Sequence, residues 1–292
     1  MPYLDKVIYR PITDETARLT SLKTGDLDIV DTVPSKDVGD LRNSTDLTYK
    51  EIPALAFFGF YVNNTVEPFN NKALRQALAY AIDRDAILKS VFFNIGVVSN
   101  GPIPPPSWAY DASYKPYTRD LAKAKAKLTE GGKADGLSFK MQVPAGSPQN
   151  LQEAQIIRDQ LKEAGITMDI EQLEFSKILD NLDKKQFSTS LVGWSGRIDP
   201  DGNMYSHFRS DGTNNNGGYN SPKVDELLAS ARSGADQATR KVSYQDAQKQ
   251  LMDDAAYIFI NHNVAIQCST KKLQGFVLLP DSLMRFTGVW LS

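Results

Sequence analysis

The densest group of chemically capable residues follows a short apolar run at residues 191–192, in a stretch rich in glycine and proline. Glycine permits backbone conformations that are closed to other residues, and proline fixes its own φ. An indole, a guanidinium and a carboxylate at the carboxyl end of a strand are typical of a binding loop in α/β proteins. A tight surface turn with a packed tryptophan is the alternative. The group comprises Trp194, Ser195, Gly196, Arg197 and Asp199.

Two carboxylates of this stretch, on Asp199 and Asp201, are separated by a single proline. Paired carboxylates can act as acid and base in hydrolysis, but aspartate in such loops more often caps nearby backbone N–H groups. The sequence has two histidines and one cysteine, Cys268, and it contains no nucleophile-elbow, metalloprotease or phosphate-loop motif. We therefore expect no enzyme activity, no metal site and no cofactor.

Arg197 has two interpretations. Its guanidinium is a two-pronged match to a carboxylate or a phosphate, so in the first interpretation a ligand presents an anion to it. In the second, Arg197 pairs with Asp199 or Asp201 and only holds the loop. The sequence leaves both interpretations open.

Two apolar segments contain further candidate ligand contacts. Phe58 and Phe60 share one parity of an aromatic strand segment, and alternate side chains of a strand face the same way. Asn261 and His262 interrupt the apolar run at 257–266, which is predicted to be one strand, and they indicate a wet surface. A hinge residue with satisfied hydrogen bonds is the alternative for His262, and core packing is the alternative for the tryptophan of the loop.

Strand and helix patterns alternate along the chain and predict an α/β fold with a mixed sheet. Residues 71–91 keep a helical hydrophobic period and are predicted to be one helix, capped by Asn71. Residues 6–10 show a short strand pattern. Residues 189–193 are predicted to be the buried strand that leads into the polar loop.

The composition is that of a globular protein without a nucleic-acid signature. Hydrophobic residues make up 41% and charged residues 23% of the chain, close to ordinary averages. The net charge is −2 and no basic stripe stands out, so we expect no nucleic-acid partner. No apolar run approaches the length of a transmembrane helix.

Several segments, in the expected order, resemble one protein family. Residues 192–203 are similar to the "GW(S/T)G…DPD" segment of extracytoplasmic solute-binding proteins of the oligopeptide and dipeptide (family 5) ABC-transporter class. Residues 57–92 resemble the most specific motif of that family, "N…PF.d..vRqAl.yAidrdaI", and residues 3–34 resemble its "yLdkv…aLksGeiDiv" segment. The resemblance covers essentially the whole chain.

The resemblance implies a periplasmic-binding-protein-like fold of type II, cluster C. It assigns residues 55–263 to a large ligand-contacting lobe with a mixed sheet, and residues 1–54 and 264–292 to the remnant of the domain that carries the chain termini. Members of the family are exported, whereas the start of this sequence lacks the features of a signal peptide. We therefore expect the C-terminal portion of a periplasmic or extracytoplasmic protein, without its N-terminal lobe.

The implied function is that of the substrate-binding component of an ABC importer. Such a protein captures a short peptide or peptide-like solute in a cleft closed by hinge bending and delivers it to membrane permease subunits. The alternative is the same receptor fold for a non-peptide solute such as an opine, a modified sugar or a metal chelate. The implied ligand-binding residues are Trp194, Ser195, Gly196, Arg197, Asp199, Phe58, Phe60, Asn261 and His262.

Arg197 departs from the family pattern. Peptide binders of the family carry an aspartate three positions beyond the tryptophan, and that aspartate pairs with the α-ammonium of the ligand. A guanidinium repels an ammonium. The departure puts in doubt that the ligand is an ordinary free peptide.

Overall fold

The computed structural model describes residues 3–292. Its helices are α1 (Glu15–Thr24), α2 (Val38–Arg42), α3 (Lys72–Ala81), α4 (Arg84–Phe92), α5 (Leu121–Glu130), α6 (Pro148–Glu163), α7 (Phe175–Asp183), α8 (Asp201–Phe208), α9 (Pro222–Ser233) and α10 (Gln237–Asp253). Its strands are β1 (Ile29–Val30), β2 (Leu47–Pro53), β3 (Phe58–Val62), β4 (Val97–Val98), β5 (Leu137–Pro144), β6 (Ile166–Leu173), β7 (Thr189–Leu191), β8 (Tyr257–His262), β9 (Val264–Thr270), β10 (Leu273–Gln274) and β11 (Trp290–Leu291).

A six-stranded mixed sheet in the order β4-β8-β3-β7-β5-β6 is the central element of the fold. β5 pairs in parallel with β6 and β7, because α6 and α7 provide the long crossovers that parallel strands require. β3 runs antiparallel to β7 and β8. The α/β prediction with a mixed sheet is therefore confirmed. The sheets β1-β9-β2 and β10-β11 lie outside this central sheet.

Separate groups of buried apolar residues hold these sheets. The largest group packs against the six-stranded sheet and takes its buried members from residues 57–260. A second group joins α1 and α2 to the β1-β9-β2 sheet. Among its buried members in the described chain, Ile95 alone comes from residues 55–263. We propose that residues 55–263 form one lobe and that the flanking segments form another unit, a division that these separate cores support.

The predicted helix over residues 71–91 is two helices. Asn71 caps α3 as expected, but Ile82 is extended and the side chain of Asp83 accepts the N–H of Ala86 at 2.9 Å to begin α4. Both helices bury their apolar faces in the same core. The hydrophobic period therefore continues across a break in the backbone.

The predicted strand over residues 257–266 is also two elements, since β8 belongs to the six-stranded sheet and β9 to the three-stranded sheet. Between them, the carbonyl of Asn263 accepts the N–H of Ala54 at 3.1 Å. The strand predicted at residues 6–10 is wrong, because this segment pairs with no strand of the described chain.

Candidate functional site

The polar loop between β7 and α8 is fixed to the segment that enters β3. Trp194 and Phe57 exchange both backbone hydrogen bonds, at 2.9 and 3.1 Å. Gly196 lies so close to this segment that a Cβ would stand 2.0 Å from the carbonyl oxygen of Leu55, and its φ of 82° suits glycine. At Trp194 and Gly196 the position of the loop therefore depends on backbone contacts, which leave the side chain of Trp194 available to a ligand.

Neighbouring residues hold the backbone and the aliphatic part of the side chain of Arg197 in place. Its N–H donates to Oδ1 of the buried Asn203 at 2.7 Å. Its aliphatic stem lies against Gly202, where a Cβ would approach the Cβ of Arg197 to 2.6 Å. The residue as a whole is exposed, so its guanidinium is positioned and open to solvent.

The guanidinium of Arg197 lies over the indole of Trp194, with Cζ 4.5 Å from the ring centroid. Nη1 donates to the carbonyl of Gly196 at 2.6 Å and to the hydroxyl of Ser195 at 3.3 Å. These contacts are with a neutral ring, a carbonyl and a hydroxyl, so they leave the positive charge uncompensated.

The two aspartates of the loop have other partners. Asp199 pairs with Arg240 at 2.8 Å and accepts the backbone N–H of Asp201 at 3.0 Å. Asp201 accepts from Nε and Nη2 of Arg232, at 3.0 and 2.6 Å. Within residues 3–292, Arg197 forms no ion pair. The interpretation in which Arg197 braces the loop through these carboxylates is therefore wrong.

Trp194 is partly exposed and stacks on His207, with ring centroids 4.4 Å apart. Within the described chain, Nε1 of Trp194 and both ring nitrogens of His207 are buried without a hydrogen-bond partner in acceptable geometry. Burial and, secondly, the nearby Arg197 cation lower the pKa of His207 to about 4. Sequence reasoning missed His207 as a neighbour of the loop, because Asp201 and Gly202 are turn formers and concealed α8.

The structure separates the two phenylalanines of β3. Phe58 is partly exposed and lies against Gly193 at the start of the loop. Phe60 is fully buried in the centre of the sheet, where it pairs with Leu191 on one side and Ile258 on the other. The side chain of Phe60 has no free surface in this arrangement, so its ligand contact stays a prediction that the burial does not support.

Asn261 and His262, at the end of β8, are both buried. Nδ1 of His262 lies 2.8 Å from the carbonyl oxygen of Ala56, and Nε2 lies 3.0 Å from Oγ of Ser99. Both ring nitrogens of His262 thus have partners inside the protein, as the alternative of a satisfied histidine expects, and the ligand contact of His262 stays a prediction. Asn261 pairs with Phe58 across β3 and β8, yet its side-chain amide has no partner within residues 3–292.

The chemistry available to this loop is that of recognition by a cation, an indole and an amide. Among the described residues, no group of three or more His, Cys, Asp or Glu is arranged to hold a metal ion. In the same part of the chain, no helix has the length and apolar character needed to cross a bilayer.

The family model described as "Bacterial extracellular solute-binding proteins, family 5 Middle" matches residues 1–216. The chain belongs to this family. The family 5 match includes β7, the polar loop and α8, so it contains both Trp194 and Arg197.

Named family 5 relatives are binding proteins. The glutathione-binding protein of Pectobacterium atrosepticum is 28% identical over 100% of this chain and 59% of its own length. The probable D,D-dipeptide-binding periplasmic protein of Escherichia coli is 30% identical over 96% of this chain and 55% of its own length. This chain thus spans little more than half the length of these relatives.

One solved structure extends the comparison to the fold. It is the ABC transporter-associated periplasmic binding protein of Helicobacter pylori in complex with a peptide. It matches with a TM-score of 0.91 and 26% identity, over 99% of this chain and 57% of the other. The fold is therefore the type II periplasmic-binding-protein fold that the sequence resemblance implied.

Proposed function

We propose that this chain is the ligand-contacting part of the substrate-binding component of an ABC importer. It takes a short peptide or a peptide-like solute in a cleft that closes by hinge bending, and it passes the solute to permease subunits in the membrane. The observation that carries the proposal is the polar loop, which displays Trp194 and Arg197 on a backbone fixed to the segment entering β3. An extracytoplasmic location is part of the same proposal, in keeping with periplasmic relatives.

The loop and its surroundings offer the groups that such a receptor needs. Trp194 presents a partly exposed aromatic face, which packs against varied ligands at a low cost in side-chain entropy. Ser195 and Arg197 are exposed donors beside it. The unpartnered amide of Asn261 lies next to the partly exposed Phe58. Buried polar groups without partners are rare in folded proteins, and a ligand or an ordered water would satisfy them.

The charges of the polar loop support a binding function without catalysis. A carboxylate pair acting as acid and base needs free oxygens near the substrate. Here Asp199 and Asp201 are both engaged by arginines of the neighbouring helices. They serve the loop as structural anchors, and both oxygens of Asp201 are used, so the two do not form a free carboxylate pair; Asp199 stays a proposed ligand contact through Oδ2, which accepts no hydrogen bond within residues 3–292.

Mass spectrometry of the compounds released when the native full-length protein is denatured tests the ligand class. We expect short peptides or compounds that contain peptide bonds. Trp194→Ala should release much less ligand, because the aromatic wall of the site is gone. Trp290→Ala, which removes a partly exposed tryptophan from β11, is the matched control and should release as much as the wild type. Equal release from both variants would contradict the proposed site.

A non-peptide solute such as an opine, a modified sugar or a metal chelate is the second candidate. One observation favours it: the uncompensated guanidinium of Arg197 suits an acidic solute better than the ammonium of a free peptide. The same mass spectra separate the two candidates, since the released compounds either contain peptide bonds or do not.

A further inference from the structure

Arg232 shows how this protein itself binds a carboxylate with a guanidinium. Its Nε and Nη2 donate in parallel to the two oxygens of Asp201, at 3.0 and 2.6 Å. The planar group also lies over the ring of Tyr205, with Cζ 3.2 Å from the centroid. An aromatic support and a two-pronged carboxylate together make this a specific pair.

Arg197 also has an aromatic ring beneath its guanidinium, but it has no carboxylate partner among the described residues. Its guanidinium lies over Trp194, and Nη1 is already used by Ser195 and Gly196. An arginine has five N–H donors. In the described part of the chain, the remaining donors on Nε and Nη2 have no acceptor. They form the edge that Arg232 uses to bind Asp201.

The free edge of Arg197 is held in place before any ligand arrives. Its stem lies against Gly202, and its backbone is tied to Asn203. A side chain that is already ordered loses little conformational freedom on binding, so a ligand gains most of the interaction energy. Because the nearest loop carboxylates are paired with Arg232 and Arg240, they do not cancel the charge of Arg197.

We infer that Arg197 is a specificity-determining residue that binds a carboxylate of the ligand through its Nε–Nη2 edge. The inference rests on the proposed function and narrows it. The two coplanar oxygens of a carboxylate match this edge as the oxygens of Asp201 match that of Arg232. The receptor therefore selects peptides or peptide-like solutes that present an acidic group, and not an ammonium, to the polar loop.

Four trialanine derivatives, which share the same peptide chain but differ in charge, test whether the receptor prefers a carboxylate. N-succinyl-trialanine amide and N-acetyl-trialanine each carry one carboxylate, at opposite ends. N-acetyl-trialanine amide carries no charge, and trialanine amide carries only an ammonium. Calorimetric titration of the full-length wild type should show that at least one of the acids binds about 30-fold or more tightly than the neutral probe, and that the ammonium probe binds no better than the neutral one.

Variants of Arg197 assign that preference to its guanidinium. Arg197→Gln should remove the preference for the acid while leaving the affinity for the neutral probe and the melting temperature near those of the wild type. Arg197→Lys keeps the charge but not the two-pronged edge, so it should keep only part of the preference. Arg158→Gln, which alters an exposed guanidinium on α6 that is already paired with Asp159, should keep all of it.

Two results would overturn the inference while leaving the proposed function intact. They are equal binding of acidic and neutral probes by the wild type, and an undiminished preference in Arg197→Gln. If the wild type binds none of the four probes, the peptide class of the proposed function is wrong. The compounds that copurify with the protein then test the inference. Carboxylic acids that copurify with the wild type but not with Arg197→Gln support it. Equal recovery of these acids from both proteins overturns it.

Discussion

The surroundings of the two histidines differ although both side chains are buried. His262, at the end of β8, is bonded through Nδ1 to the carbonyl of Ala56 and through Nε2 to the hydroxyl of Ser99. His207, on α8, stacks on Trp194, and neither of its ring nitrogens has a partner within residues 3–292. The fold satisfies the ring nitrogens of the histidine at the end of β8 and leaves those of the histidine beside the polar loop unsatisfied. This contrast distinguishes a histidine with a structural role from a histidine suited to a place beside a binding loop.

Acid is expected to produce the largest effect, because it acts on both histidines. Burial lowers each pKa to about 4, whereas the unfolded value is 6.5. Between pH 6.5 and pH 4 the unfolded chain therefore binds protons at these two histidines that the folded chain does not, and their joint contribution to the free energy of unfolding falls as the pH falls. Burial raises the pKa of Glu153 to about 8, so this single carboxyl opposes the two histidines down to about pH 4.5 and offsets part of the loss. The loss should approach about 3 kcal/mol for each histidine. It should be absent above this window and complete near its lower end.

Urea unfolding measured at intervals across this window checks the prediction. His207→Leu and His262→Leu should each show a flatter dependence than the wild type, since each lacks one of the two groups. If both variants kept the wild-type dependence of stability on pH, groups other than the two histidines would control the response to acid.

Replacing each histidine by leucine should change the free energy of unfolding at pH 7 by different amounts. His262→Leu leaves the carbonyl of Ala56 without its partner, whereas the buried hydroxyl of Ser99 keeps the carbonyl of Gly101 as an acceptor at 2.8 Å, so the cost in stability should be about 1–3 kcal/mol. His207→Leu breaks no hydrogen bond and should stay within about 1 kcal/mol of the wild type, the loss of stacking on Trp194 being its main cost. Chemical denaturation measures both, and equal costs would remove the distinction between the two histidines.

The smallest expected effect is a pKa shift at one histidine. The cation of Arg197 is the second cause of the low pKa of His207 and is not among the causes for His262. In Arg197→Gln the pKa of His207 should therefore rise, by less than one unit, while that of His262 stays unchanged. NMR titration of the ring protons follows both histidines in one sample. A rise at both would mean that the substitution disturbs the fold and not only the local field.

Local signals explain how much of the fold could be predicted. The start of α6 follows from Ser147 as cap and Pro148 after it, and its end is marked by Gly165, whose φ is 88°. The polar loop was placed correctly at the end of β7 because its glycines and proline directly follow an apolar run. Each of these signals lies within a few residues of the feature that it predicts.

The predictions that failed depended on contacts between distant residues. The partners of Asp199 and Asp201 are arginines on α9 and α10, and nothing near the loop in the sequence specifies them. Strand parity predicts that Phe58 and Phe60 face the same way, but the pairing of β3 with β8 shifts register between Phe58 and Gly59, and Phe60 is fully buried whereas Phe58 is partly exposed. The role of Arg197 could be narrowed only after these distant pairs had been located.

The position of β8 also determines when this fold can form. β8 lies between β4 and β3 in the six-stranded sheet, and its residues pair with β3 residues about 200 positions earlier in the chain. During synthesis β3 therefore stays without this partner until about 200 further residues have been made. The central sheet is therefore completed by a non-local contact, which slows folding.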